Sequence, residues 1–132
     1  MAEVHSNASF IRRVYEAFES GDLEFVNQAF ADDCVWHFPG KSPLAGDYAG
    51  RAAIMRDFLI RLPAVTGGTF RATTSDVLAN DRYAVALQHA TAERNGKRLD
   101  TTACQLFRIV DGRIVEVRGH YADQYALDEF FS

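Results

Sequence analysis

Two cysteines, three prolines and one tryptophan in 132 residues leave little covalent or rigid scaffolding. Cys34 and Cys104 are too few and too far apart to staple a disulfide framework, so they read as reduced core thiols, in keeping with cytoplasm. His5, His37, His89 and His120 show no metal-ligand spacing; no metal site is expected, and no motif indicates a cofactor. Charge is small and mixed, −4 net without any basic block, which argues against nucleic acid or an anionic membrane surface as partner. No apolar run approaches a membrane span, and the opening MAEVHSNASF has neither the charged nor the apolar region of an export signal. The expectation is one domain over residues 1–132, with 1–7 a flexible N-terminus and enough chain beyond to bury a core.

Apolar and aromatic side chains are what the chain does have. Ten Phe, five Tyr and the single Trp suffice to build a core or to line a cavity, and composition alone does not separate the two uses. The first third has helical period: Phe10, Ile11, Val14 and Phe18 recur on one face, and Gly21 supplies a stop. Asp22 then caps a second short helix with Leu23, Val26, Ala29 and Phe30 on its apolar side. CVWHF (34–38) is β-like and ends at Pro39-Gly40, the loop KSPLAGDYAG follows, and RAAIMRDFLIRL forms a third helix stopped by Pro63.

From Thr69 the period changes to two. Runs rich in β-branched and aromatic residues are separated by Asn80-Asp81, Asn95-Gly96 and Asp111-Gly112, the latter two being strong hairpin signals. Four antiparallel strands are expected at about 69–79, 82–94, 98–110 and 113–123. Helices first and a meander afterwards give an α+β fold, a cone-shaped curved antiparallel sheet wrapped around three N-terminal helices. The open end of such a cone is a natural small-molecule pocket.

The stretches FADDCVWHFPG, SPLAGDYAGRAAI, ATAERNGKRLD, FRIVDGRIVEVR and YADQYALDEFF, in that order, resemble the nuclear transport factor 2-like superfamily. Within it they resemble the SnoaL-like polyketide cyclase and ketosteroid-isomerase-related branch, whose fold is the cystatin-like roll. That branch includes isomerases, cyclases, dehydratases and epoxide hydrolases beside binding or accessory domains, so the resemblance implies the fold more sharply than the activity. Steroid isomerisation needs a carboxylate base and two donors for the developing enolate. Laid on this chain, the helix-one tyrosine falls on Val14, the base on Phe38, the protonated aspartate on Gln105 and a further pocket tyrosine on Phe58. Valine and phenylalanine move no protons, and glutamine only donates or accepts a hydrogen bond. Tyr15, adjacent to Val14, would restore one donor if the register slips by a residue.

Strand parity sorts the remaining candidates. Trp36 and Phe38 share the inward face of CVWHF, Gln88 faces inward with Ala86 and Ala90, and Gln105 shares its face with Phe107. On the last strand the resemblance puts Val117, Gly119, Tyr121 and Asp123 inward. His89 and His120 then face outward, as does His37 unless the strand twists at Pro39. Each candidate has two uses. Asp123 is a general acid/base at the pocket mouth or the cap of the segment after it. Tyr121 and Tyr15 donate to a ligand or pack. Trp36, Gln88 and Gln105 contact ligand or satisfy one another within the protein, and Tyr48 closes over the mouth or stays in its loop.

Three functions remain in contention. The first is a binding domain for a small apolar or aromatic ligand, its pocket formed by Trp36, Phe38, Gln88, Gln105, Tyr121, Tyr15, Val14, Phe58, Phe107 and Val117. The second is a cofactor-independent isomerase, cyclase or hydratase using Asp123, with His37, for proton transfer. The third is a non-catalytic dimerisation module. Under each, the resemblance implies a homodimer through the outer sheet face.

Overall fold

Helix α1 (Ser6–Ser20) opens the described part of the computed structural model, residues 4–132. Of the segment expected to be flexible, residues 1–3 lie outside the described residues. Ser6 and Asn7 already form the first turn, which His5 caps by accepting the Asn7 N–H on Nδ1 at 3.0 Å. Ala8, Ile11, Val14 and Ala17 are the buried stripe of α1. Gly21, at φ 79°, ends the helix: its N–H bonds the Phe18 carbonyl and that of Asp22 reaches back to Ala17, a Schellman arrangement that needs a left-handed residue. Asp22 caps helix α2 (Leu23–Ala29) by accepting the Phe25 N–H at 3.2 Å.

Phe30, placed on that helix by its spacing, is instead the first residue of strand β1 (Phe30–Phe38). Two further differences follow along the chain. The loop after Pro39 contains a short strand, β2 (Gly46–Ala49), which pairs antiparallel with β1. The third helix runs past Pro63: it starts as Arg51–Ala53, widens to a π-helical segment at Ile54–Leu59 and ends with Arg61–Val65. In the π segment hydrogen bonds skip five residues, Ile60 N–H to the Met55 carbonyl at 3.0 Å, and Pro63 falls in the turn that follows that register change.

Four strands form the meander: β3 (Arg71–Ala79), β4 (Tyr83–Arg94), β5 (Lys97–Val110) and β6 (Arg113–Tyr121). Asn95-Gly96 and Asp111-Gly112 are two-residue turns with positive φ at both positions, the geometry those dipeptides favour. The six-stranded sheet has the order β2-β1-β6-β5-β4-β3, antiparallel except where β1 lies parallel to β6, with Trp36 opposite Val117. Helices first and meander second make the architecture α+β with a curved sheet. Alternation is regular on β5, where Leu99, Thr101, Ala103, Gln105, Phe107 and Ile109 are buried. On β6 a bulge near Val115 resets the phase between Ile114 and Val117.

A C-terminal helix, Gln124–Phe131, was not expected. It buries Leu127, Phe130 and Phe131, the last against Phe38, and is tied to the β4–β5 hairpin, Lys97 Nζ donating to the Glu129 carbonyl at 2.9 Å. Gly40 packs beneath it at φ 107°. A Cβ there would lie 2.0 Å from Asp128 Oδ1, so any other residue would displace that carboxylate and hold a strained positive φ. Among the described residues no helix is long and apolar enough to cross a membrane.

Candidate functional site

The concave face of the sheet and the helices over it enclose a cavity of about 730 Å³. Val14, Tyr15 and Phe18 enter from α1, Val26 from α2, and Phe58 and Leu62 from the third helix. The sheet contributes Trp36 from β1, Gln88 from β4, Gln105 and Phe107 from β5 and Tyr121 from β6. Exposed lining residues mark the mouth: Glu19, Leu23, Ile60, Gly68 and Arg71. Buried ones mark the deep wall, with Trp36, Gln88, Gln105, Phe58 and Phe107 each under one-tenth exposed.

Aromatic packing makes that wall stiff. The Phe58 ring lies 5.0 Å from Trp36 and 5.0 Å from Phe38, and Tyr15 meets Phe107 edge-on at 6.1 Å. The polar groups inside are amides and phenols. Gln105 Nε2 donates to the Tyr121 hydroxyl at 3.1 Å, and Gln88 Nε2 donates to Thr74 Oγ1 at 3.2 Å. Burial raises Tyr15 well above the usual tyrosine range, with Tyr121 adding to the effect and Gln88 tempering it. Burial likewise pushes Tyr121 up to about 12, tempered by Gln105. Both phenols therefore keep their protons at ordinary pH. Trp36 Nε1 and Gln105 Oε1 are buried without a hydrogen-bond partner among the described residues.

Of the residues singled out on sequence grounds, Trp36, Gln88, Gln105, Tyr121, Tyr15, Val14, Phe58 and Phe107 meet on this wall. Phe38 and Val117 face the same way but do not line the cavity. Phe38 is sealed between Phe58, Tyr121 and Phe131, the last delivered by the unexpected C-terminal helix. Val117 is wholly buried between its cross-strand neighbours Trp36 and Phe107.

Asp123 lies off the wall, exposed, where it accepts the Ala126 N–H at 3.0 Å as N-cap of the C-terminal helix. His37 points to the other face of β1, as parity implies: Nδ1 meets Asp47 at 2.6 Å and Nε2 meets Glu116 at 2.9 Å. Tyr48 does not close the mouth; its ring backs Phe58 at 5.1 Å and its hydroxyl donates to the Leu44 carbonyl. Cys34 is a buried thiol, whereas Cys104 is exposed on the outer face rather than in the core.

The sequence reading missed the far side of the cavity. Pro63 belongs to a helix end, Gly68 and Phe70 to a connecting loop and Arg71 to the first position of β3, where no periodicity marks an inward face. Phe18 and Leu62 were visible as apolar helix positions, and their only signal was that shared face.

A family model described as SnoaL-like domain matches residues 11–117. The structure of Bal32a, from a soil-derived mobile gene cassette, is similar with a TM-score of 0.89 and 42% identity, covering 94% of this chain and 95% of that one. The uncharacterised protein Rv0034 of Mycobacterium tuberculosis is 34% identical over 128 residues, 96% of this chain and 97% of its own. IdmH of Streptomyces antibioticus, proposed to be a polyketide cyclase, aligns with a TM-score of 0.71 and 25% identity over 89% of this chain and 93% of its own. Other similar solved structures are described as cystatin-like and nuclear transport factor 2-like.

Proposed function

The chain belongs to the SnoaL-like domain family, and on that premise we propose that it is a small-molecule-binding domain whose mainly hydrophobic cavity takes an apolar or aromatic ligand. One observation carries the reading: a cavity of about 730 Å³ whose deep wall is aromatic and whose inner polar groups are neutral amides and phenols. That volume is in the range of roughly 300–1,000 Å³ typical of ligand pockets. The steroid-isomerase proton-transfer positions carry Val14, Phe38 and Gln105, none of which is a base at neutral pH. Acid–base chemistry through Asp123 and His37 finds less support, because the first caps a helix and the second is held by two carboxylates on the outer face.

Trp36 is the only tryptophan and lines the cavity, so its emission reports what enters. Titration with a panel of fused-ring aromatics is expected to give saturable fluorescence changes. At a hundred times Kd the ligand adds about 2.7 kcal/mol of apparent stability, seen as a rise in Tm. Trp36→Phe removes the optical signal and keeps the thermal one, while Ala72→Trp, which fills the cavity from β3, removes both. A panel in which no member shifts either readout overturns the reading. The proposal includes a homodimer through the outer sheet face, where Tyr83 and Val110 are 41% and 43% exposed; a monomer mass in sedimentation equilibrium at high concentration overturns that part.

A further inference from the structure

The outer face of β1 holds a pair of contacts that a neutral histidine cannot make together. His37 Nδ1 lies 2.6 Å from Asp47 Oδ1 on β2, and Nε2 lies 2.9 Å from Glu116 Oε2 on β6. An ionised carboxylate only accepts hydrogen bonds, so each contact needs a proton on the ring nitrogen. Neutral imidazole carries one N–H and imidazolium carries two. The two contacts at once therefore describe the charged ring. Its side chain is only 19% exposed, so water competes weakly for the two N–H groups.

The place of this ring in the sheet gives its proton a structural task. β1 lies between β2 and β6, so the two hydrogen bonds reach from one neighbour of β1 to the other. β2 is four residues long, lies at the sheet edge and pairs with β1. Among the described residues His37 is the only cationic side chain within ion-pair distance of Asp47, whereas Glu116 also meets Arg118 Nη2 at 3.6 Å. Arg108 stands opposite Glu116 on β5, and Asp33 is exposed four positions back on β1. Asp47 thus depends on the imidazolium more than Glu116 does. Its neighbour Tyr48 points the opposite way, with its ring 5.1 Å from Phe58 on the cavity wall.

We propose that His37 is a pH-sensitive positioning residue: its imidazolium straps the edge strand β2 to β6 across β1, and loss of the proton loosens β2 together with the Tyr48–Phe58 corner of the cavity wall. Imidazoles change charge between about pH 5 and 8, so the strap is closed at the acid end of that range and open at the other. Either neutral tautomer leaves one carboxylate facing a lone pair, and it weakens the other contact from an ion pair to a hydrogen bond from a neutral donor. The strap acts whether or not a ligand is bound, so it stands apart from the binding-domain reading and is tested on the protein alone.

The test is amide hydrogen exchange followed by NMR at about pH 5.5 and about pH 8, the two ends of the imidazole range. Rates are expressed as protection factors, so that the intrinsic pH dependence of exchange cancels. The β2 amides are expected to lose about fourfold in protection at the higher pH, the scale of a partly exposed ion pair in a locally opening edge. His37→Gln and Asp47→Asn should each show the lower β2 protection at both pH values. Protection of the β4–β5 ladder equal to that of the wild type at the same pH shows that these variants are folded. His5, His89 and His120 stay in place in His37→Gln, so a β2 response that belonged to them would persist there. Trp36, the cross-strand partner of Tyr48, should shift its emission with pH in the wild type and not in His37→Gln. A change in β2 protection below about twofold in the wild type, or one that survives in His37→Gln, overturns the proposal. Constant Trp36 emission overturns its reach to the cavity wall.

Discussion

Trp36 and His37 are neighbours in the chain and live in different chemical worlds. The indole lies on the cavity wall among aromatic rings, and the imidazole lies on the outer face between Asp47 of β2 and Glu116 of β6. The contrast extends over the whole sheet. Inside, the polar groups are amides and phenols in sparse, neutral pairs; outside they include ion pairs such as Arg118 with Glu116 and Arg98 with Asp100. The strand period of two decides which environment a residue enters, and that environment decides what its chemistry can be used for. A histidine near a pocket-forming segment is therefore no evidence of catalysis until its parity is known.

The comparison is open to attack at several levels. The largest expected effect is in packing. Ile114→Ala removes a fully buried inner-face side chain and should cost about 2–5 kcal/mol, whereas Val110→Ala on the outer face should stay within about 0.5 kcal/mol. Urea denaturation of the two variants measures the difference, and equal costs would mean that the faces are not distinct in energy.

Alkaline titration is the next most sensitive probe. In the unfolded chain Tyr121 ionises near 10, and in the folded chain burial holds it to about 12. The unfolded state therefore releases this proton first. Its contribution to stability is complete below pH 10 and is lost as pH rises from 10 towards 12, on the order of 2–3 kcal/mol. Tyr121→Phe should flatten the fall in urea midpoint over that window. An unchanged slope would place this phenol in water.

The two thiols give the smallest energetic contrast and the sharpest kinetic one. Burial pushes Cys34 up to about 12, with Asp33 and Glu116 adding to it, while Cys104 is exposed. Ellman's reagent should label Cys104 promptly and reach Cys34 only on unfolding. Cys104→Ser should change stability by no more than about 0.5 kcal/mol.

Much of this was legible in the chain wherever a local rule decides the outcome. Asn95-Gly96 and Asp111-Gly112 specify their turns because few other dipeptides accept positive φ twice. Parity brought Gln88, Gln105 and Trp36 to one wall because β4 pairs with β5 without a shift and β1 is regular from Val35 to Phe38. Elsewhere tertiary contacts decided. Phe30 has a helix-compatible spacing, yet pairing with Ile114 draws it into β1. Only the partner strand makes β2 a strand, and neither Asp123 nor the short helix it caps carries a periodic signal long enough to read. Phe38 shows what such a miss entails for the site: without the C-terminal helix nothing announces that Phe131 will cover it.

The parallel seam between β1 and β6 has a consequence for how the molecule assembles. The meander from β3 to β6 joins neighbours through short turns, so its loops close at small entropic cost. The seam joins residues as distant as His37 and Glu116, 79 positions apart. Long closures of this kind come late and slow the folding of a sheet. The cavity is thus complete only once β1 and β6 have met, and emission from Trp36 during refolding records that meeting, after the signal of strand formation has already settled.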